Sequence, residues 1–272
     1  MATDIHTQLL IIDPQNDFMD IEGAALPVQG ANADMNRLAA FIDGAREQLD
    51  GICVTLDSHH GVGIERPALW CKADGSAVDP FTQISAAQLR AGTYAPRQPD
   101  ALPRVLAYLD ALEAGGRYRL MVWPVHCEIG TWGHNVQSAV REAYGRWEVS
   151  TLRPVRKVFK GMNAWTENYS ALQAEVPDAQ DPDTQLNTRL IAALDQGQRI
   201  LVAGEASSHC VRATTEHLAD HLPSGRVDKI VLLEDCMSPV GGFEAEARAF
   251  LDAMRARGAA VMSAEACLRS LA

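Results

Sequence analysis

The sequence has no paired-cysteine motif, no long apolar run and no cluster of basic residues. Its six cysteines are scattered, without a CxxC pair or the spacing of a small secreted framework, so we expect free thiols in a reducing cytoplasm. No stretch approaches the roughly 18 uncharged apolar residues of a membrane span. The first residues, MATDIH, lack the basic start and apolar core of a signal peptide. These absences predict a cytoplasmic protein that contacts no membrane.

Positive charge is also scarce, which argues against a nucleic-acid partner. The chain has 24 lysines and arginines against 35 acidic residues, a formal net charge of −11, whereas nucleic-acid-binding domains carry a basic patch. Aromatic residues make up only 6% of the chain, but hydrophobic residues together make up 47%, enough for a sizeable core. We expect one domain over residues 1–272, with a long insertion at about 61–116.

Short aliphatic runs alternate with longer helical stretches along the chain. The runs are nearly continuous in hydrophobicity, as in a parallel sheet that is covered on both faces. The predicted strands are Gln8–Asp13, Gly51–Asp57, Tyr118–Trp123, Lys157–Lys160, Arg199–Ala203 and Lys229–Glu234, with a possible edge strand at Ala259–Met262. The predicted helices are Ala31–Gln48, Arg104–Ala114, Val136–Gly145, Gln185–Gln196, Cys210–His221 and Gly242–Arg257. This alternation predicts a doubly wound α/β fold, with the site at the carboxyl ends of the strands.

Two connections are longer than plain crossovers. The segment 61–116 is rich in Pro, Gly, Trp and Gln, and the segment 171–184 contains an acidic patch. Long ordered connections in compact domains are often lids or interface elements, and solvated excursions are the alternative.

Cys210 lies at a predicted junction between a strand and a helix. A thiol on the first turn of a helix is near the positive end of the helix dipole and near free backbone N–H groups. Both favour the reactive thiolate, and the N–H groups would also stabilise an oxyanion. Cys210 is therefore a candidate nucleophile; a buried structural thiol is the alternative.

Two charged residues at other strand ends are candidate partners of Cys210. Asp13 follows four apolar residues and precedes Pro14, so it is either a turn residue or a general base with a pKa raised by burial. Lys160 closes the run before Gly161 and is either a surface lysine or the cation that balances Asp13. The tips of parallel strands crowd around one crevice, so these residues can meet.

Asp57, His59 and His126 form a plausible divalent-metal set. Alternate residues at a strand end point the same way, so Asp57 and His59 can bind one ion. Two histidines and a carboxylate leave open positions and favour zinc, iron or manganese. A hydrogen-bonded polar pair is the alternative; His60 could replace His59, and Glu65 is a possible further ligand.

Aromatic side chains next to the strand tips are candidates for the walls of a pocket. Phe18 and Trp123 could sandwich a planar substrate, and core packing is the alternative.

Five motifs together resemble the nicotinamidase-related branch of the isochorismatase-like cysteine hydrolases. They cover nearly the whole chain and occur in the order of that family: DPQNDF at 13–18, DSHH at 57–60, WPVHCEIGTWG at 123–133, FKG at 159–161 and AGEASSHCVRATT at 203–215. The resemblance implies a three-layer α/β/α domain with a six-stranded, mainly parallel, Rossmann-like sheet.

The same resemblance implies the roles of the candidate residues. It implies a catalytic triad of Asp13, Lys160 and Cys210, with a cis peptide before Ala206 and an oxyanion hole formed by the N–H groups of Ala206 and Cys210. The family's metal ligands fall on Asp57, His59 and His126, with zinc as the first expectation. Its aromatic pocket walls fall on Phe18 and Trp123.

The implied activity is hydrolysis of a small amide, nicotinamide or a related compound, through an acyl-thioester. We also expect a homo-oligomer, because family members often assemble. The alternatives are a metal-dependent or isochorismatase-type hydrolase of another small substrate, and a catalytically silent binding protein on the same fold. The chain departs from the family pattern in having Glu65 where a further histidine is usual.

Overall fold

The computed structural model describes residues 6–271, and ten strands lie in that part of the chain. They are β1 (Thr7–Ile12), β2 (Gly51–Asp57), β3 (Trp70–Lys72), β4 (Thr82–Ile84), β5 (Tyr94–Pro96), β6 (Leu120–Val122), β7 (Arg156–Lys160), β8 (Arg199–Gly204), β9 (Ile230–Leu233) and β10 (Ala260–Met262).

Eight α-helices connect these strands in the described residues. They are α1 (Ala31–Gly44), α2 (Ala86–Arg90), α3 (Leu102–Gly115), α4 (Ser138–Thr151), α5 (Thr188–Asp195), α6 (Cys210–His221), α7 (Glu244–Ala256) and α8 (Ala264–Leu271). Short 3-10 turns occur at Asn16–Phe18, Pro67–Leu69, Pro99–Ala101, Pro182–Thr184, Val227–Lys229 and Glu234–Cys236. Within 6–271, none of the helices has the length and apolar character needed to cross a bilayer.

Six strands form one parallel sheet in the order β10–β9–β8–β1–β2–β7. The inner strands are aliphatic on both faces because helices cover both; every residue from Leu9 to Ile12 is fully buried. Helix α1 packs against α4 and α8, and α6 packs against α5 and α7, which gives two helical layers around the sheet. The predicted α/β fold with a six-stranded parallel sheet is confirmed.

The prediction for one strand was wrong. The run Tyr118–Trp123 does contain a strand, β6, but β6 pairs antiparallel with β4 in a separate two-stranded sheet. Its side chains Leu120 and Val122 are buried against the segment that precedes them, not against the main sheet. The sixth place in the main sheet is taken by β10, the expected edge strand.

The long segment at 61–116 is an ordered unit with its own apolar centre. It contains β3, β4, β5, α2 and α3, and a second hydrophobic cluster forms around Ile64, Trp70 and Leu109. The indole of Trp70 donates to the carbonyl of Ile64 at 2.7 Å. This segment reaches the carboxyl end of β2, because Glu65, next to Ile64, lies with Oε1 3.1 Å from Nδ1 of His59.

Candidate active site

The carboxyl ends of four neighbouring strands bring together four buried reactive side chains. Asp13 follows β1, Asp57 ends β2, Lys160 ends β7, and Cys210 begins α6 after β8. All four side chains are buried. Residues nearly 200 positions apart in the sequence therefore meet at the carboxyl ends of these neighbouring strands. This crevice is the usual place for a site in such a fold.

The backbone around Asp13 is shaped to present its carboxylate to the crevice. Asp13 lies in the left-handed region with φ of 45°, which aspartate tolerates better than most residues. Its N–H donates to the hydroxyl of Thr55 at 3.1 Å, and that hydroxyl donates back to Asp13 Oδ1 at 2.5 Å. Burial raises the pKa of Asp13, although the ammonium of Lys160 opposes this. Thr55 was not foreseen, since a threonine within a strand carries no sequence signal of such a role.

Lys160 is the electrostatic centre of the site. Its Nζ lies 3.0 Å from Asp13 Oδ2, 2.7 Å from Asp57 Oδ1, 2.7 Å from the carbonyl of Asn168 and 3.6 Å from Cys210 Sγ. Burial alone would lower the pKa of Lys160, but the two carboxylates raise it well above its usual value. Lys160 is therefore a fixed cation.

Cys210 is held as a thiol in the resting site. Burial raises its pKa well above the usual range, the Lys160 ammonium lowers it, and Asp13 and Asp57 raise it further. The helix dipole was expected to favour the thiolate, but burial and two nearby carboxylates outweigh it. Asp13 and the sulfur of Cys210 contact the same Lys160 ammonium, so the carboxylate and the thiol share one cation.

The loop before α6 offers free N–H groups beside Cys210. The peptide between Glu205 and Ala206 is cis, as the resemblance implied. The N–H groups of His209 and Val211 donate to the carbonyl of Ala206, whereas within residues 6–271 no backbone acceptor pairs with the N–H groups of Ala206 and Cys210. Ala206 and Cys210 line the same pocket. Gly204 lets β8 run close to Ile12 of β1, since a Cβ at position 204 would lie 1.9 Å from the carbonyl oxygen of Ile12.

Asp57, His59 and His126 converge on one point. Their ligand atoms all lie within 4.8 Å of one another, with His59 Nε2 at 2.8 Å and His126 Nε2 at 3.3 Å from Asp57 Oδ2. All three side chains are buried. Zinc binds such nitrogen and oxygen atoms at about 2.0–2.2 Å, so its ligand atoms must lie a few ångströms from one another, as these do. The donor set therefore fits a divalent metal that keeps open positions.

A second layer of residues orients the two histidines. Glu65 Oε1 lies 3.1 Å from Nδ1 of His59, and the carbonyl of Pro124 lies 2.8 Å from Nδ1 of His126. With Nδ1 of His59 facing Glu65, its Nε2 faces Asp57. Nδ1 of His126 also lies 3.0 Å from Nη1 of Arg66. Glu65, weighed from the sequence as a ligand, thus lies behind His59 and outside the ligand cluster.

The geometry also distinguishes His59 from its neighbour in sequence. His60, the alternative to His59, is exposed. Gly161 makes room for the cluster, because at its φ of 81° a Cβ would lie 2.9 Å from the His59 ring.

A small cavity with a volume of about 30 Å³ opens above these groups. Phe18 and Trp123 line it, with Phe18 5.4 Å from the ring of His126 and Trp123 5.4 Å from the ring of His209. The remaining lining residues are Leu26, Asp57, His126, Glu167, Asn168, Tyr169, Ala206, His209, Cys210 and Val240. Its aromatic and apolar lining would suit a planar ring.

Three polar residues of this pocket were not assigned from the sequence. Tyr169 accepts a hydrogen bond from the Trp123 indole at 3.1 Å. Burial lowers the pKa of His209 to about 4, so its ring is neutral at pH 7. Burial, followed by the charge of Glu65, raises the pKa of Glu167 to about 7. Only the position of His209 beside Cys210 could have signalled a role, because the others lie in a loop without a periodic pattern.

Comparison with solved structures agrees with this architecture. The nicotinamidase/pyrazinamidase of Acinetobacter baumanii matches over 98% of this chain and 100% of its own, with a TM-score of 0.65 and 17% identity. A pyrazinamidase of Pyrococcus horikoshii in complex with zinc matches over 95% and 99%, with a TM-score of 0.57 and 18% identity. An isochorismatase family protein from Desulfovibrio vulgaris matches over 98% of both chains, at 0.54 and 16%.

These similarities come from comparing structures. No protein-family model and no curated protein matches the sequence. At 16–18% identity the likeness shows the fold, which is the isochorismatase-like α/β fold. The predicted resemblance is confirmed for the fold.

Proposed function

We propose that the protein is a cysteine hydrolase that cleaves a small amide to the carboxylic acid and ammonia through an acyl-thioester on Cys210. The observation that carries this proposal is the contact of one buried ammonium, Lys160, with both the base Asp13 and the sulfur of Cys210. A buried cation here stabilises the negative charge on whichever of the two partners has lost the proton.

The first half of the reaction forms the thioester. Asp13 accepts the Cys210 proton as the sulfur attacks the amide carbonyl carbon, and the carbonyl electron pair moves to its oxygen. The N–H groups of Ala206 and Cys210 hold this oxyanion. The oxyanion then reforms the carbonyl, the C–N bond breaks, and Asp13 returns the proton to the leaving nitrogen as ammonia departs.

The second half hydrolyses the thioester. Asp13, now ionised again, accepts a proton from water as the water oxygen attacks the thioester carbonyl. Collapse of the second oxyanion breaks the C–S bond, and the proton on Asp13 returns to the sulfur of Cys210. The carboxylic acid leaves, and the buried thiol is restored.

Nicotinamide, or a closely related aromatic amide, is the substrate that we infer. Phe18 and Trp123 provide apolar walls for a planar ring, and the solved neighbours include a nicotinamidase and a pyrazinamidase. Asp57, His59 and His126 would hold a divalent metal, with zinc the first candidate and iron or manganese the others. When bound, the metal would supply a Lewis acid that orients a ring nitrogen or a water molecule.

The test is ammonia release from nicotinamide and a panel of small amides by the purified protein. Cys210→Ala should lower turnover at least about 1,000-fold, because it removes the nucleophile. Cys53→Ala is the matched control: Cys53 is also a buried thiol, and burial raises its pKa to about 12, but it lies in β2 away from the pocket. Cys53→Ala should retain turnover.

Two results would contradict the proposal. If Cys210→Ala keeps most of the activity, the thiol mechanism is wrong and a metal-dependent hydrolase is the better account. If wild type and Cys210→Ala are equally inert toward every amide, the protein is not a hydrolase of this kind.

A further inference from the structure

We propose that the carboxyl pair Asp34–Glu205 shares one proton and positions the N–H of Ala206 in the oxyanion hole. The inference rests on the proposed function and concerns a residue that the reaction itself does not use. Glu205 is fully buried and immediately precedes Ala206, yet its carboxyl points away from the pocket toward α1. Asp34, in the first turn of α1, is 3% exposed, and Ser238 hydrogen-bonds both carboxyls.

The hydrogen bonds around the pair require a proton between the two carboxyls. Glu205 Oε2 accepts from the N–H of Ser238 at 3.1 Å, and Asp34 Oδ2 accepts from the Ser238 hydroxyl at 2.5 Å. Asp34 Oδ1 accepts from Arg37. Among the described residues no donor reaches Glu205 Oε1, although that oxygen is buried. Ser238 thus bridges the two carboxyls, and two buried carboxyls held this close cannot both ionise, so one proton is shared between them.

Charge places that proton on Glu205. Burial raises the pKa of both carboxyls, but Arg37 opposes this for Asp34, whereas the charges of Asp34 and Asp20 raise the pKa of Glu205 well above its usual value. Glu205 is therefore the neutral acid that donates through Oε1, and Asp34 is the carboxylate that accepts.

The pair is connected to the oxyanion hole through the backbone. The Glu205 N–H donates to the carbonyl of Ile12 at 2.8 Å, and Ser207 N–H donates to the carbonyl of Ser238 at 2.9 Å. The side chain of Glu205 thus ties the segment 204–207 to α1 and to the loop 237–240, one of whose residues, Val240, lines the pocket. If Glu205 were ionised or removed, this anchor would be lost and Ala206 N–H would shift.

Two variants of Glu205 separate the anchor from simple burial. Glu205→Gln keeps both bonds, because its amide oxygen can accept from Ser238 N–H and its NH₂ can donate to Asp34. Glu205→Leu keeps a similar volume and makes neither bond. Asp34→Ala removes the acceptor from the α1 side and serves as a second test if Glu205→Leu does not fold.

The probe is pyridine-3-carbaldehyde, which adds to a thiol to give a thiohemiacetal whose oxygen occupies the oxyanion hole. Since one lost donor costs roughly 100-fold or more, a displaced donor in Glu205→Leu or Asp34→Ala should weaken aldehyde binding at least about 10-fold. Alkylation of Cys210 by iodoacetamide forms no oxyanion, so its rate should stay within about twofold of wild type. Glu205→Gln should match wild type in both assays.

Several results would overturn the inference. These are unchanged aldehyde binding in Glu205→Leu, a Gln variant as impaired as the Leu variant, or an equal loss of aldehyde binding and alkylation, which would mean general damage. Independently of any activity, the infrared difference spectrum of wild type minus Glu205→Gln at pH 7 should contain the C=O stretch of a protonated carboxyl; its absence would refute the shared proton. A wild type that adds the aldehyde but hydrolyses no amide would contradict the proposed function alone.

Discussion

Replacing Lys160 by methionine tests the electrostatic design of the site most directly. The substitution keeps the length of the side chain but removes its charge and its donors. In the wild type, that charge lies within 3.0 Å of both Asp13 and Asp57, and the ammonium also donates to the carbonyl of Asn168 at 2.7 Å. Its loss leaves the buried carboxyl of Asp13 without its cation, whereas Asp57 keeps its contact with His59.

The expected loss of stability follows from this uncompensated charge. Breaking a buried ion pair by removing one partner costs about 3–5 kcal/mol in the free energy of unfolding. The cost depends on pH, because the Asp13 carboxyl can instead take up a proton. Without Lys160 the folded-state pKa of Asp13 rises, so the folded variant binds more protons than the unfolded chain, and its stability increases as the pH falls. We therefore expect the full loss near pH 8 and a smaller one near pH 5.

Urea unfolding of the metal-free protein at both pH values measures this difference. Lys157→Met is the matched control: Lys157 lies in the same strand, is exposed, and lies 5.0 Å from the centre of the Tyr144 ring. That substitution should cost less than about 1 kcal/mol. Adding Asp13→Asn to Lys160→Met should recover part of the loss, since one carboxylate is removed. If Lys160→Met is no less stable than Lys157→Met at pH 8, Lys160 does not neutralise the site.

Two further predictions concern neighbouring carboxylates. Glu167→Gln should stabilise the metal-free protein by up to about 3 kcal/mol above pH 7 and by nothing near pH 4, because the folded-state pKa is raised from 4.5 to about 7 and ionisation costs stability only above the unfolded value. Urea unfolding between pH 4 and pH 8 measures the difference in the free energy of unfolding between Glu167→Gln and wild type. A difference that does not change with pH would contradict the reasoning. Glu65→Gln should weaken zinc binding about 10- to 100-fold, because it removes the carboxylate that orients His59. Competition with a chelator measures the affinity, and an equal loss in the exposed control His60→Ala would exclude this role.

The sequence by itself determined the strands and helices and the order of the reactive residues at the strand ends. Continuous aliphatic runs predicted five of the six strands of the main sheet and pointed to the sixth, and the change of period at Cys210 located the start of α6 at the observed residue. Asp13, Asp57 and Lys160 were recognisable because each follows an apolar run. Periodicity and polar interruptions are local properties, and they survive without knowledge of what packs against them.

Only the tertiary structure decided what each polar group contacts. The run around β6 reads as a strand of the main sheet until the apolar cluster of residues 61–122 is in place to bury it. Glu65 was a possible ligand until its carboxylate was seen behind His59, and neither Thr55 nor Glu205 carries a local pattern. The state of the Cys210 thiol depends on burial and on charges from three other strands, which sum only when the chain is folded. Long-range contacts of this kind have no periodic signature in the sequence, and this is why the structure was needed to find them.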